Sequence, residues 1–487
     1  MAAFPDMSRG GVGVTDPMIY LLKHAGSVDK FNQLADKMLG EGRWRVLAWV
    51  PENRLRFVAS VDSRTGWILG LLPILPEEMP GDSLSQDRAR QLVDGVLTKQ
   101  GEDLSKLDLK SQSTQNRPHR LDHSFTYEAR DGDPRNVADA KYRRGGSVEG
   151  SWLHVGAGAW YKIPEAWQRD REASTVIRTA KSALSYIVMI GLAVWAIGIL
   201  TARMRRGFVP WKRALVYAIL PAAVYLVAGL NQFYLAKSDY FGMVATPWSV
   251  FRTGLIVQWL ISAGIIYVYF AVGLATLSAL YPDALPWLRR VERRAAWFDA
   301  LVASAGAIGG LLIVRSFSVW LAAWKPEWVV FTGWNTPEWL PAPAPVFMML
   351  AGAFSRALLT ALLFAFFAYL WQGPMKKPIL RIALLIAAVV MLFPGSSPDA
   401  NEWVYSLLVN IGRVGLTYVA LRFFVSGRPV LLVSVASGLA IVNMAMQGLG
   451  TGNGYVLLNT WIFVGISLAV LIYWLLGSRD KAVTPSS

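Results

Sequence analysis

The sequence predicts a polytopic α-helical membrane protein of about nine spans, with an N-terminal soluble α+β domain in residues 1–175. Three observations predict this fold class. Hydrophobic residues make up 54% of the 487 residues and charged residues 17%, which is too apolar for an ordinary soluble chain. From Ser182 onward, apolar segments approach the roughly 20 residues that a spanning helix needs. The 21 Trp and 17 Tyr supply the amphipathic rings that membrane interfaces favour.

The first third alternates helix-forming and strand-forming runs. Helices are expected over 29–39, from Ser85, where an acidic first turn precedes an apolar face, and after Pro164. The strand-forming runs are rich in Val, Trp, Tyr and Phe; they lie at 43–50, 55–61, 67–71, 107–113, 123–129, 140–145 and 152–162. This order predicts a compact α+β domain, followed by a membrane domain over 176–487.

Nine apolar segments are candidate spans. They lie at 182–201, 214–230, 254–280, 300–323, 346–371, 379–393, 404–425, 429–447 and 455–476. Alternate loops between them are rich in Lys and Arg, and such loops collect in the cytoplasm. We therefore expect a multi-pass protein of the bacterial cytoplasmic (inner) membrane, with its C-terminus in the cytoplasm and its first domain outside. The same loops account for the net charge of +15 without a nucleic-acid partner.

Two further expectations follow from this topology. A domain outside the membrane needs a signal peptide or an earlier anchor helix, and the first residues resemble neither. Either a segment lies upstream of Met1 or the assigned polarity is wrong, and the charge asymmetry of five loops favours the upstream segment. The stretch 286–298 has Trp at both ends and four Arg between them, which is typical of an interfacial helix.

The sequence lacks the residues that several common kinds of catalytic site require. There is no Cys, and all four His lie in the first third, which excludes thiol catalysis, disulfides and histidine chemistry in the membrane half. No Gly-rich phosphate loop, GxSxG elbow or HExxH pair is present. No cofactor or metal is expected.

Two motifs of the soluble domain have ordinary interpretations. His119 and His123 flank Asp122, but residues four apart on a strand are well separated and no further ligand is evident. A polar strand edge is therefore favoured over a metal site. Glu77 and Glu78 lie between two prolines, and a solvated turn is favoured over an acid pair.

Three arginines fall inside apolar segments: Arg315, Arg356 and Arg413. Intramembrane charges are expensive and therefore often functional. Each arginine either is neutralised within the bundle or holds an anionic headgroup or substrate carboxylate, and both interpretations stay open. Asn410 and Asn443 are candidates for the same interior, as are Gln258 and Asn459, although interhelical hydrogen bonds are the commoner role of such amides.

The soluble segments RWRVLAWVPE, LPEEMPGDSLSQDRAR, RPHRLDHSFTYE and YKIPEAWQR resemble the N-terminal domain of large CPBP proteins. These are CAAX-protease-like, bacteriocin-processing intramembrane endopeptidases. Part of the domain also resembles the PepSY module. The resemblance implies a Glu-Glu-x-x-x-Arg motif and two later His motifs. Here Arg356 matches the arginine, Ala351 and Gly352 stand at the glutamates, and Leu439 with Asn443 is the faint remnant of an HxxxN helix.

The resemblance implies the protease fold without its chemistry, because no base remains for amide hydrolysis. The first hypothesis is a non-catalytic membrane protein, a pseudoenzyme, whose partners are membrane lipids and a peptide or protein ligand of the outer domain. A second is a transporter or lipid-handling protein that uses the arginines, with helix breaks at Pro221 and Gly309–Gly310. A third is a divergent protease that uses Glu292 or Glu402.

Overall fold

The computed structural model describes residues 2–6, 16–39, 43–49, 56–62, 68–155, 159–172, 176–207, 209–233, 236, 240, 246–281, 293–328, 342–373, 377–392, 400–419, 430–449 and 454–476. The chain divides into two compact units. The first contains Met1–Ala173 together with Tyr234–Trp248 and Ala322–Pro341, and the second contains the remaining residues.

The first unit contains two antiparallel sheets. The first sheet has the order β1 (Ala2–Asp6), β2 (Arg43–Trp49), β3 (Arg56–Asp62) and β4 (Ile68–Ile74). The second has the order β5 (Leu107–Arg117), β6 (Arg120–Ala129), β7 (Lys141–Glu149) and β8 (Trp152–Val155), and β9 (Trp160–Lys162) pairs with β7. The helices of this unit are α1 (Asp16–His24), α2 (Val28–Leu39), α3 (Gln86–Lys99) and α4 (Glu165–Glu172).

Helix α3 covers one face of the second sheet. It begins where the sequence predicts, because the Ser85 hydroxyl accepts a hydrogen bond from the Arg88 backbone N–H and so satisfies a free donor of the first turn. Ala89, Val93 and Leu97 are fully buried along its inner side. They pack into a core with residues such as Phe125, Tyr142 and Val148 of the sheet.

Besides shifts at several strand ends, the predicted elements of the first unit differ from the structure in two respects. The run expected at 152–162 forms two strands, β8 and β9, and residues 156–158 lie outside the described chain. Strand β1 and helix α1 were not predicted, because 1–24 has no clear period-2 or helical signal in its apolar residues.

The second unit is helical. In the part of the chain that the structure describes, its helices are α5 (Val176–Arg205), α6 (Trp211–Asn231), α7 (Trp248–Leu280), α8 (Arg293–Trp324), α9 (Pro345–Gln372), α10 (Pro378–Leu392), α11 (Ala400–Val419), α12 (Val430–Leu449) and α13 (Gly454–Leu476). Five are long and apolar enough to cross a membrane: α6, α7, α8 from Phe298, α9 and α12 from Leu431. The chain is therefore an integral membrane protein with several apolar helices. The figure of nine spans stays a prediction, and 286–292 of the expected interfacial helix lies outside the described residues.

Helix α9 packs against α6, α12 and α13. Small residues form much of the helix contacts, such as Ala361 and Ala365 of α9 and Ala436 of α12, which lets the backbones approach closely. Helices α6 and α8 run without interruption through Pro221 and through Gly309–Gly310. The expectation of breaks at these two places is wrong.

Candidate functional site

Helix α11 has a buried polar face. Glu402, Ser406 and Asn410 recur every four residues and so lie along one side of the helix. They are 0%, 5% and 2% exposed. Polar groups buried in an apolar bundle are expensive and mark functional candidates.

The sequence predicts that Glu402 lies in a loop before a span that starts at Val404, and the structure shows that this prediction is wrong. Helix α11 begins at Ala400, so Glu402 lies in its first turn and is fully buried. Hydropathy places a segment boundary after a charged residue, whereas the dipole of a helix favours a carboxylate in the first turn. The other candidate carboxylate, Glu292, lies outside the described residues.

Asn410 and Arg413 are adjacent on α11. The Arg413 Nη1 lies 3.5 Å from the Asn410 Oδ1. The Asn410 Nδ2 is buried and has no hydrogen-bond partner among the described residues. A guanidinium and a carboxamide with a spare N–H therefore lie side by side, and oxyanions are the natural acceptors for such donors.

Arg413 also lines a cavity of about 150 Å³ inside the second unit. The walls come from α8, α9, α11 and α12 and consist of Gly306, Ala307, Gly310, Leu311, Val314, Phe364, Leu416, Val419, Val435 and Leu439. Arg413 is the charged residue among them. An apolar cavity with one cationic group suits a molecule with an apolar body and an anionic end.

The close approach of α8 and α11 forms one wall of this cavity. A Cβ at Gly310 would lie 3.1 Å from the Leu416 side chain, so a larger residue at position 310 would have to displace the Leu416 side chain. Further along, the Tyr405 hydroxyl donates to the Ser318 carbonyl at 3.4 Å.

The other two candidate arginines lie elsewhere. Arg315 is exposed, and its Nη1 lies 3.4 Å from the Met446 Sδ. Arg356 is exposed on α9. Neither belongs to the cavity wall, so the structure brings only Arg413 of the three into the cavity.

The positions suggested by the protease resemblance are packing positions. Ala351 is buried, and Gly352 packs against Met444, whose Cε would lie 3.1 Å from an added Cβ. Leu439 lines the cavity. Asn443 is exposed and accepts a hydrogen bond of 3.4 Å from the Gln447 side chain.

A group of side-chain hydrogen bonds at the start of α9 was not predicted from the sequence. Asn231 donates to the Ala344 carbonyl at 2.8 Å and accepts from the Ala344 N–H at 3.0 Å. The Asn459 Oδ1 accepts from the Val346 N–H at 3.5 Å, and the Tyr455 hydroxyl donates to the Pro343 carbonyl. The Val346 N–H is one of the donors that a helix start leaves free, so Asn459 is structural. The signal available was Asn at the end of one apolar segment and Pro at the start of another.

The two histidines of the first unit's motif have different environments. His123 is buried, with its Nε2 donating to the Leu84 carbonyl at 2.9 Å and its Nδ1 2.9 Å from the Thr114 hydroxyl. His119 is exposed in the turn between β5 and β6. Among the described residues, no group of three or more His, Cys, Asp or Glu is placed to hold a metal ion.

The same motif instead forms an ion-pair network. Arg120 is buried and binds Asp122 at 2.9 Å and the carbonyls of Pro76 and Met79 at 2.7 and 2.9 Å. Glu77 is exposed, and its Oε1 lies 2.6 Å from Arg117. The network ties the 76–79 loop to β6, which is a structural role.

No protein-family model, no curated protein and no solved structure matches the chain.

Proposed function

We propose that the chain is a non-catalytic membrane protein, built like the CPBP intramembrane endopeptidases, that binds the anionic end of a lipid or peptide beside Arg413. The supporting observation is the cavity of about 150 Å³, in which Arg413 is the charged residue of an otherwise apolar wall. A guanidinium in a low-dielectric site binds carboxylate or phosphate strongly.

The composition of the cavity wall supports a binding role over hydrolysis. Among the described residues that line the cavity, none is a carboxylate or a histidine, and amide hydrolysis needs a group that activates water. Glu402 precedes Arg413 by 11 residues on α11, or about 16 Å at 1.5 Å per residue. That separation is too large for the two groups to act on one bond.

The proposed location is the bacterial cytoplasmic membrane, with the first unit outside and a peptide or protein as a further partner of that unit. The alternation of basic loops supports this topology. The first unit also contains 234–248 and 322–341, two loops that the alternation assigns to the same side as residues 1–175.

The test is equilibrium binding to the full-length protein in neutral detergent. The probes are lysophosphatidate, oleate, and an apolar peptide with either a free or an amidated C-terminus. We expect Arg413→Gln to weaken binding of the preferred anionic probe by about tenfold or more, which is about 1.4 kcal/mol. Arg356→Gln is the matched control, because Arg356 lies outside the cavity wall.

The four probes separate the two sources of the anion. A preference for lysophosphatidate or oleate indicates a lipid, and a preference for the free peptide carboxylate indicates a peptide. Equal binding by wild type and Arg413→Gln would refute the proposal. So would cleavage of a peptide library that Arg356→Ala abolishes, or an anion flux in liposomes that needs all three arginines.

A further inference from the structure

The face of the second sheet turned away from α3 carries a charged groove. Along β7, Tyr142 and Arg144 are buried, whereas Lys141 and Arg143 alternate with them on the other face. The groove has a volume of about 380 Å³. Its lining contains four cationic and three acidic side chains, together with Ile163 and Pro164: Lys110, Lys141, Arg143, Lys162, Glu128, Asp139 and Glu165.

Some of these charges are neutralised within the first unit. The Arg143 Nε donates to the Glu128 Oε2 at 2.7 Å, and the Lys110 Nζ lies 3.8 Å from the Glu128 Oε1. Lys141 pairs with Asp131. In the part of the chain that the structure describes, Lys162, Asp139 and Glu165 form no ion pair. One ammonium and two carboxylates of the groove therefore remain for a ligand.

The strand register places a second ammonium at the same end of the groove. Lys141 lies directly opposite Lys162 in the antiparallel pair of β7 and β9. Asp131 already pairs with Lys141, so the Lys162 ammonium is the one that remains for an anionic group at this end of the groove.

The acidic end is held in place by a strained turn. Ala138 has φ of 47°, a left-handed conformation that residues with a Cβ rarely adopt. The turn is closed by the backbone bridge between Val137 and Ala140. It presents the exposed side chain of Asp139 to the groove.

We propose that this groove binds a zwitterionic phosphate–ammonium headgroup of the phosphoethanolamine type. The phosphate would lie beside Lys162, and the ammonium N–H groups would donate to Asp139 and Glu165. The source is a membrane lipid, because the chain is an integral membrane protein. The site is separate from Arg413 and does not depend on the function proposed for it.

The test is chemical footprinting of the full-length protein in phosphatidylcholine nanodiscs, read by mass spectrometry. Amine acylation reports Lys162, and carboxyl modification reports Glu165. Lys99 and Asp87, both exposed on α3, are internal controls. The soluble probes are phosphoethanolamine, phosphocholine and inorganic phosphate. In a second arm, phosphatidylethanolamine replaces part of the nanodisc lipid.

We expect phosphoethanolamine at ten times its Kd to slow labelling of Lys162 and Glu165 by about tenfold, since protection follows 1 + [L]/Kd. Lys99 and Asp87 should not change. Phosphocholine should protect less, because its quaternary ammonium has no N–H to donate to the carboxylates. Phosphatidylethanolamine nanodiscs should reproduce the protection.

Three results would overturn the proposal. Equal protection by phosphoethanolamine and phosphocholine would remove the role of the carboxylates. Protection of Lys162 by inorganic phosphate as strong as that by phosphoethanolamine would indicate a simple anion site. Protection by none of the probes would show that the groove holds no headgroup. These readouts come from the wild-type protein, so a folding defect in a variant cannot obscure them.

Discussion

The arginines of the two units have different partners. In the first unit, Arg135 lies 2.8 Å from Glu102 and 2.7 Å from Asp133, and Arg120 lies 2.9 Å from Asp122. In the second unit, Arg315 lies beside a thioether and Arg413 beside a carboxamide. Charges within a hydrogen-bonded ion network support structure, whereas a charge in an apolar cavity suits an external anion. We therefore expect substitution of the paired arginines of the first unit to affect stability, and substitution of Arg413 in the second unit to affect binding.

The largest effect is expected from Arg120→Ala. The change leaves Asp122 and two backbone carbonyls without this partner, and removing one member of a buried pair costs about 3 kcal/mol or more. Amide hydrogen exchange in β6 of the full-length protein measures the loss. Arg117→Ala, which removes a more exposed partner of Asp122, is the control with a smaller effect. Equal effects of the two changes would break the structural interpretation of the network.

The second unit should depend on close packing. A Cβ at Gly448 would overlap the Thr460 hydroxyl, so Gly448→Ala must push α12 and α13 apart, at a cost of about 2 kcal/mol. The thermal unfolding midpoint in detergent should fall. Gly465→Ala on α13 is the control, because nothing lies within 4 Å of its added Cβ. A midpoint unchanged by Gly448→Ala would contradict the packing described for these helices.

A smaller gain is expected from Ala138→Gly. Glycine adopts a positive φ without steric cost, so the change should stabilise the first unit by up to about 1 kcal/mol. Hydrogen exchange at β7 provides the measurement. A loss of stability would show that the Ala138 turn is not strained.

The smallest effect is a dependence on pH at Glu149. Burial, and secondarily the nearby Asp122, raises the pKa of the Glu149 carboxyl above its ordinary value of 4.5. A raised pKa in the folded state gives stability that is present below pH 4.5 and is lost as the pH rises through the folded pKa. Glu149→Gln should therefore match wild type in acid and exceed it at neutral pH, measured by unfolding across that range. A difference that is constant with pH would count against it.

The sequence predicted features that depend on neighbouring residues. Ser85 begins a helix because its hydroxyl and the following amide are local, and the apolar segments mark helices by composition. Glu402 was misplaced because hydropathy cannot distinguish a buried first turn from a loop. The pairing of Asn231 with Ala344 joins residues 113 positions apart, and no local pattern encodes it. Arg413 was a candidate from the sequence, but packing of four helices decides that it, and not Arg356, lines a cavity.

Ligand-induced thermal shift tests the central claim most directly. The unfolding midpoints of wild type and Arg413→Gln are measured in detergent with and without the anionic probe that wild type prefers. We expect the ligand-induced rise of the wild-type midpoint to be lost in Arg413→Gln. A much lower midpoint with the ligand-induced rise preserved would show that Arg413 is a structural residue, and would contradict the account.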